Sequence, residues 1–377
     1  MKKILSLAAA FAAALTLTAQ DLPREIYSGS WNSGHVQGAV VDAAREYVYF
    51  SFTDMIVKTD MNGKVVGTVT GLLGHLGCLD YNEEDGLIYG SLEYKDDVIG
   101  QGILKRNKSD LQYENTFYIA IIDGKKIVRE NMDALKDGIV TCVNLPSVVA
   151  DYEGHVTVDG KELPHRLGCS GIDGVSFGPE FGKKGGKNYL MVCYGIYGDN
   201  DRSDNDYQVI LEYDTSKWMK KYAKPLEVGN LHRQGPAKPR KCFYAFTGNT
   251  TWGIQNLEYD PSTGYWFMAA YKGKKPQYPN YTLFAVDGAS KPVKQKLEGV
   301  PYVRKGLVVP LADAGKEHKE SGVRGWRFKY GATGIISMGN GLFYFSENSK
   351  TPEKLQQTTL RLYRFTGASD APFVPVE

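Results

Sequence analysis

Residues able to do chemistry stand at matching places in a segment that recurs along the chain. Aligned on its opening, the segment starts at His35, His75, Gly171, Gly253 and Tyr330. Two residues further on, the same alignment gives Gln37, Gly77, Asp173, Gln255 and Ala332, while Arg166, Asn249 and Arg327 lie shortly before three of the openings. Brought together, these groups fit two reactions. His35 or His75 as base, Tyr330 as acid and Arg166 or Arg327 clamping a carboxylate would serve β-elimination from a uronic acid. The same arginines could hold the carboxylate of a sugar whose glycosidic bond is hydrolysed. Hydrolysis by paired carboxylates needs a partner for Asp173, and only Glu258 or Glu93 is near in the alignment. Glu258 falls three residues beyond Gln255, on the opposite face of an alternating strand. Gln37, Asn249 and Gln255 are candidates to orient a ligand. A purely structural histidine would recur in every copy, yet the third and fourth copies carry glycine there.

The elements that must position this ring are repeats, and repeats decide the fold. The openings read His35–Asp42, His75–Asn82, Gly171–Gly178, Gly253–Asp260 and Tyr330–Ser337. Each leads through a turn to an aromatic, β-branched run: Tyr47–Phe52, Leu87–Leu92, Tyr189–Tyr194, Tyr265–Ala270 and Leu342–Ser346. Such runs, bounded by Asp, Asn and Gly, read as strands. Closing turns follow in strict alternation at Val57–Gly63, Ile121–Gly124, Leu211–Asp214, Ala285–Gly288 and Leu362–Gly367. With a further extended stretch after each turn, the unit has about four antiparallel strands, the blade of a β-propeller. The expectation is an all-β chain with five blades. Gly138–Leu167 and Pro310–Lys329 carry no copy and leave room for a sixth or seventh. Arg24–Trp31 is extended and could complete the last blade, removing its open edge. No long segment shows helical periodicity, and only Asn131–Leu135 suggests a helical turn.

These strand and turn motifs cover nearly all of residues 20–377. On them the chain resembles secreted bacterial β-propellers of the YVTN/NHL/quinoprotein-like superfamily. That resemblance implies a propeller whose relatives include sugar hydrolases, polysaccharide lyases, lactonases and binding scaffolds, so it does not select a function. The chain departs from the three carboxylates of five-bladed glycosidases and from the quinone-site signatures of quinoprotein dehydrogenases. Together, residues and resemblance lead us to expect a carbohydrate-active propeller acting on an acidic glycan at the channel mouth, as lyase or glycoside hydrolase. The alternative is a propeller that only binds a ligand or protein.

Met1–Ala19 has a basic start, a short apolar core and a small residue before polar sequence, the pattern of a secretory signal peptide. The product is expected to be exported, periplasmic or extracellular, as one domain over 20–377, a monomer with no membrane span. A net charge of +2 without a clustered basic surface speaks against nucleic acid. The five cysteines form no CxxC pair, and at least one must lack a partner within the chain. Cys78 and Cys193 read as buried thiols, and Cys142–Cys169 is the least implausible bridge. Asp199, Asp201 and Ser203 have the alternating oxygens that open a calcium loop. Asp204 and Ile210 stand where an EF-hand needs Gly and Glu, so only an irregular calcium site would fit. Lys272–Tyr281 and Arg324–Tyr330 are aromatic, basic loops, in which Trp326 is the candidate to stack on a sugar.

Overall fold

The computed structural model describes residues 22–248 and 251–377. Met1–Ala19 and Asn249 lie outside the described residues. The chain forms an all-β propeller of five blades. The innermost strands are Val36–Val41, His75–Asn82, Cys169–Pro179, Ile254–Asp260 and Ile335–Gly339. Each packs on the next, and the fifth packs on the first, closing a ring. Behind them run Tyr47–Phe52, Leu87–Tyr94, Asn188–Ile196, Tyr265–Ala270 and Leu342–Lys350, each paired antiparallel with its own inner strand.

Because every blade is covered on both faces, its strands are apolar almost throughout. Thr116–Ile122, for example, is buried at every position. The core is accordingly divided into hydrophobic clusters, one between each pair of neighbouring blades. The fourth blade departs from the expected count. It has three full strands, and its outer position is taken by an irregular segment that touches it through bridges Leu283–Trp326 and Val286–Leu311. The stretches that left room for extra blades hold none. The first contributes an outer strand, Val140–Asn144, then a helix and the hairpin His155–Pro164; the second holds a two-stranded hairpin, Lys316–Glu317 with Arg324–Gly325.

Asn131–Leu135 is not helical; Met132–Asp133 adds a short parallel strand to the first blade. Helices form instead at Val98–Arg106 and Pro146–Glu153. Their local signals are an Asp97 side chain accepting from the Gly100 N–H at one start and proline in the first turn of the other. All five cysteines are unpaired thiols. Cys142 packs in the core between the first and second blades and Cys169 in the core between the second and third, so they form no bridge.

A shared irregularity recurs at one end of the channel. In four blades the register of the inner strand slips near its start: at Val36/Gly38, Leu76/Leu79, Ile172/Val175 and Ile254/Asn256. A bulge leaves one residue unpaired and turns its side chain. The extra residues fall at Gln37, Gly77 or Cys78, Asp173 or Gly174, and Gln255. Loosened carbonyls are taken up by neighbouring blades. Ser51 Oγ donates to the Gly77 carbonyl at 2.6 Å and Ser91 Oγ to the Asp173 carbonyl at 2.7 Å. Asn256 Nδ2 donates to the carbonyls of Gln37 at 2.8 Å and Ala332 at 3.1 Å.

Glu25–Trp31 is the outer strand of the fifth blade and pairs with Gln356–Phe365, from Glu25 opposite Arg361 to Trp31 opposite Gln356. The start of the chain therefore closes the ring onto its end. Ile26, fully buried in the core between the fifth and first blades, anchors that strand. Ile26→Ala should cost about 2–5 kcal/mol of unfolding free energy, read as a lower urea midpoint; an unchanged midpoint would show that the closing strand does not hold the ring.

Candidate functional site

The bulged end of the channel opens into a cavity of about 130 Å³. Its walls include His35, Gln37, His75, Glu93, Lys95, Asp173, Tyr197, Trp252, Gln255 and Tyr271. The bulges deliver Gln37, Asp173 and Gln255, while the ends of the second strands deliver Glu93, Lys95, Tyr197 and Tyr271. His75 lies directly opposite Glu93 in the second blade.

Glu93, about 3% exposed, is the hub. Its Oε2 lies 2.8 Å from Lys95 Nζ and 3.4 Å from His75 Nδ1, and its Oε1 accepts the Ile172 N–H of the next blade at 2.5 Å. Burial alone would raise its pKa, but Lys95 and His75 outweigh that and hold it below the usual range, as a carboxylate. Lys95 also donates to the Ser170 carbonyl at 2.8 Å. Burial would lower the ammonium, yet Glu93 and then Asp97 keep it charged, above its ordinary pKa. Gly171 explains the glycine in the alignment: a Cβ there would fall 1.9 Å from Glu93 Oε1.

Asp173 lies deep in the channel but presents a partly exposed face to the cavity. Its Oδ2 accepts from Gln255 Nε2 at 3.0 Å, and the same amide donates to the Trp252 carbonyl at 2.8 Å. Burial first, and then the negative charge of Glu93, push the Asp173 carboxyl up to about 6. Two carboxylates in one cavity are thus driven apart, one ionised and one able to hold a proton near neutrality. Opposite them, Tyr271 Oη lies 3.3 Å from His35 Nε2. Burial, then Asp173, raise the tyrosine to about 12. Desolvation first, and then the repulsion that His75 exerts when protonated, push His35 below its usual range, while the residue stays exposed.

The other end of the channel is wider, a cavity of about 1020 Å³ lined by Asp80, Glu83, Glu258 and Ser337 among others. Two of its carboxylates, Asp80 and Glu258, tie neighbouring blades together. Asp80 accepts the N–H groups of Phe177 and Tyr81 at 2.5 and 2.7 Å, and Glu258 accepts that of Ser337 at 2.6 Å. Burial raises both, Asp80 to about 6, with no buried cation between them to keep one ionised. Glu258 still faces the channel but at its far end from Asp173, because it lies three residues further along the inner strand than Gln255.

The remaining candidates are dispersed. Arg166 pairs with Asp151 at 3.2 Å and lies over the Tyr302 ring. Arg327 donates to the Pro279 carbonyl at 3.3 Å. Tyr330 packs on Phe328 and Tyr363. Trp326 is core rather than rim, with its indole N–H bonded to the Ala368 carbonyl at 3.0 Å. None of these four lines the cavity: Arg166 is held outside it by Asp151, and the segment Arg324–Tyr330 runs along the outside of the fourth blade. Of the added residues the sequence alignment weighs only Glu93; Lys95, Tyr197 and Tyr271 follow the aromatic strands, and the signal that could have found them is that an antiparallel hairpin returns those ends to the start of the inner strand.

The loop carrying Asp199, Asp201 and Ser203 has internal cations. Asp199 Oδ1 accepts the Asp201 N–H at 2.9 Å, and Ser203 Oγ donates to the Gly299 carbonyl at 3.3 Å. Lys275, buried, bonds the Arg202 carbonyl, Asn205 Oδ1 at 2.9 Å and Asp206 at 2.5 Å. Arg202 spans both oxygens of Asp204 at 2.8 Å. Among the described residues, no group of three or more His, Cys, Asp or Glu is placed to hold a metal.

No family model and no curated protein matches the chain. Solved propellers are similar to it in architecture. A GH43 β-1,3-galactosidase with galactodeoxynojirimycin is 13% identical, with 93% of this chain and 97% of that chain covered and a TM-score of 0.42. The Bacillus subtilis arabinanase Arb43A is 9% identical over 90% and 98%, with a TM-score of 0.35. The PQQ domain of Coprinopsis cinerea pyranose dehydrogenase is 10% identical over 89% and 95%, also at 0.35.

Breaking a buried pair leaves its partner charged and desolvated, so Lys275→Met should cost about 3–5 kcal/mol, whereas EDTA should leave the wild-type melting temperature unchanged. A melting temperature that falls with EDTA and returns with calcium would assign the loop a metal.

Proposed function

We propose that the small cavity is the active site of a glycoside hydrolase acting on a neutral glycan. The carrying observation is that Glu93 and Asp173 share one cavity with their pKa values pushed in opposite directions. Asp173 donates its proton to the glycosidic oxygen as the bond to the anomeric carbon breaks, the bonding pair leaving with that oxygen. Water adds to the anomeric carbon, and its proton passes to the neutral form of His75, whose Nδ1 faces Glu93 at 3.4 Å. The fixed negative charge of Glu93 also favours the positive charge that develops on the sugar.

Elimination from a uronate is less well supported, because it needs a cation for the substrate carboxylate. Among the described residues lining the cavity, the only lysine or arginine is Lys95, and it is already engaged by Glu93 and Ser170. The acidic-glycan expectation loses its clamp with Arg166 and Arg327.

Incubation with neutral tetrasaccharides (cello-, xylo-, arabino-, galacto- and mannotetraose) and with polygalacturonate and alginate tests this reading. Reducing ends from a neutral glycan are expected; unsaturated uronates would establish a lyase, and binding without products a recognition propeller. Asp173→Asn should lower kcat by roughly 10²–10⁴-fold. Asp173 is protonated below about 6 and ionised above it, so kcat/KM should fall as pH rises through that value. Removing the Glu93 charge lowers the pKa of Asp173, so Glu93→Gln should move that limb to lower pH. A limb that stays put would separate Asp173 from the acid role.

We also propose that the chain is exported after cleavage behind Ala19. N-terminal sequencing of the product from the native cell should read from Gln20 or Asp21; retention of Met1 would overturn it.

A further inference from the structure

Trp252 stands apart from the other tryptophans. It is about 42% exposed, whereas Trp218, Trp266 and Trp326 are fully buried and Trp31 is half-buried. Its backbone is left-handed at φ 68°, a conformation that a bulky residue adopts only when its surroundings hold it there. The hold is visible. Its carbonyl accepts the Gln255 amide that also donates to Asp173, and its ring meets Tyr197 edge to face at 6.1 Å between centroids. The strained residue therefore turns its indole out at the cavity mouth, on the same short segment that sets the candidate acid. Packing does not explain it, since a core tryptophan would be buried and a surface turn needs no indole.

Space adds a second argument. Ligand pockets for larger molecules span roughly 300–1,000 Å³, and this cavity has about 130 Å³. It suits one sugar ring, so an attached ring must lie outside, at the mouth where Trp252 and Tyr197 stand. Aromatic faces offer broad, rigid, apolar area to the C–H face of a pyranose or furanose, and the polar cavity behind supplies hydrogen bonds.

We propose that Trp252, braced by Tyr197, is the platform for the second sugar ring of a neutral oligosaccharide and selects chains of at least two units. This rests on the hydrolase reading for its substrate class but is tested by binding. Acrylamide quenching of tryptophan fluorescence reports mainly Trp252, the most exposed indole. One or more of the five neutral tetrasaccharides should shield it, the matching monosaccharide should not, and Trp252→Phe should abolish the change. In turnover, Trp252→Ala should raise KM about tenfold with little loss of kcat, and Trp252→Phe should recover most of it. Trp252→Gly relieves the left-handed backbone, so it should melt no lower than wild type while losing the shielding, which separates binding from folding. Shielding without cleavage would keep the platform and remove the hydrolase. Cleavage without shielding, an unchanged KM in Trp252→Ala, or no shielding by any tetrasaccharide would overturn the platform.

Discussion

The close approach of five inner strands around one axis governs the rest of the molecule. A Cβ on Gly77 would fall 2.2 Å from Ser91 Oγ and 3.2 Å from the Asp173 carbonyl, and one on Gly174 would lie 3.1 Å from Ile254. Strands this close cannot all keep regular pairing and also present side chains to the axis. The bulges resolve the conflict: each inserts a residue and turns it, and in three of them a serine or Asn256 takes up the carbonyl that is freed. The pinch separates a small chamber from a wide one. The same device that lets the ring close places Gln37, Asp173 and Gln255 in the small chamber.

What distinguishes the chambers is a cation. In both, a carboxylate lining the cavity accepts a backbone N–H from another blade. At the wide end no buried cation stands among the described lining residues, and burial pushes Asp80 and Glu258 both up. At the small end Lys95 keeps Glu93 ionised, and the negative charge of Glu93 adds to burial in raising Asp173. Desolvation, which would neutralise both groups, is thereby converted into a difference between them. The helix Val98–Arg106 begins three residues after Lys95, and the capping residue Asp97 is itself 3.7 Å from the ammonium. A local helix signal and an active-site charge are set by the same few residues.

The sequence made the fold legible because a propeller blade repeats its turn chemistry. The alternation of openings and closings corresponds to the five blades, and the extended run before His35 to the closing strand. The rim positions Gln37, Asp173 and Gln255 were legible for the same reason. Residues outside the repeat were not. Arg166, Arg327 and Trp326 lie near openings in sequence, but loops entering a blade can travel along its outside, and spacing alone does not reveal the path. Helix Val98–Arg106 was missed because its amphipathic stripe is short, with only Gly100, Ile103 and Leu104 buried. Glu93 was already a candidate partner for Asp173, but Lys95 was not singled out, and it is the hairpin register that places both beside His75.

Three buried lysines show how this protein uses internal charge. Lys58 Nζ bonds the carbonyls of Gly124 and Ile127 at 2.9 and 3.2 Å, Lys95 that of Ser170, and Lys275 that of Arg202. Each reaches from one blade to the backbone of a neighbour, so each is first a cross-tie. A buried ammonium needs several oxygens to offset its desolvation, and irregular backbone between blades supplies them. Lys275 finds its oxygens in a loop remote from the axis, and Lys58 finds them at the outer loop Gly124–Ile127. Lys95 alone among the three ties blades at the channel mouth, where a second carboxyl shares the cavity. The chemistry we assign to that cavity therefore draws on the same kind of contact that holds the blades together. It differs from the other two cross-ties by where it lies.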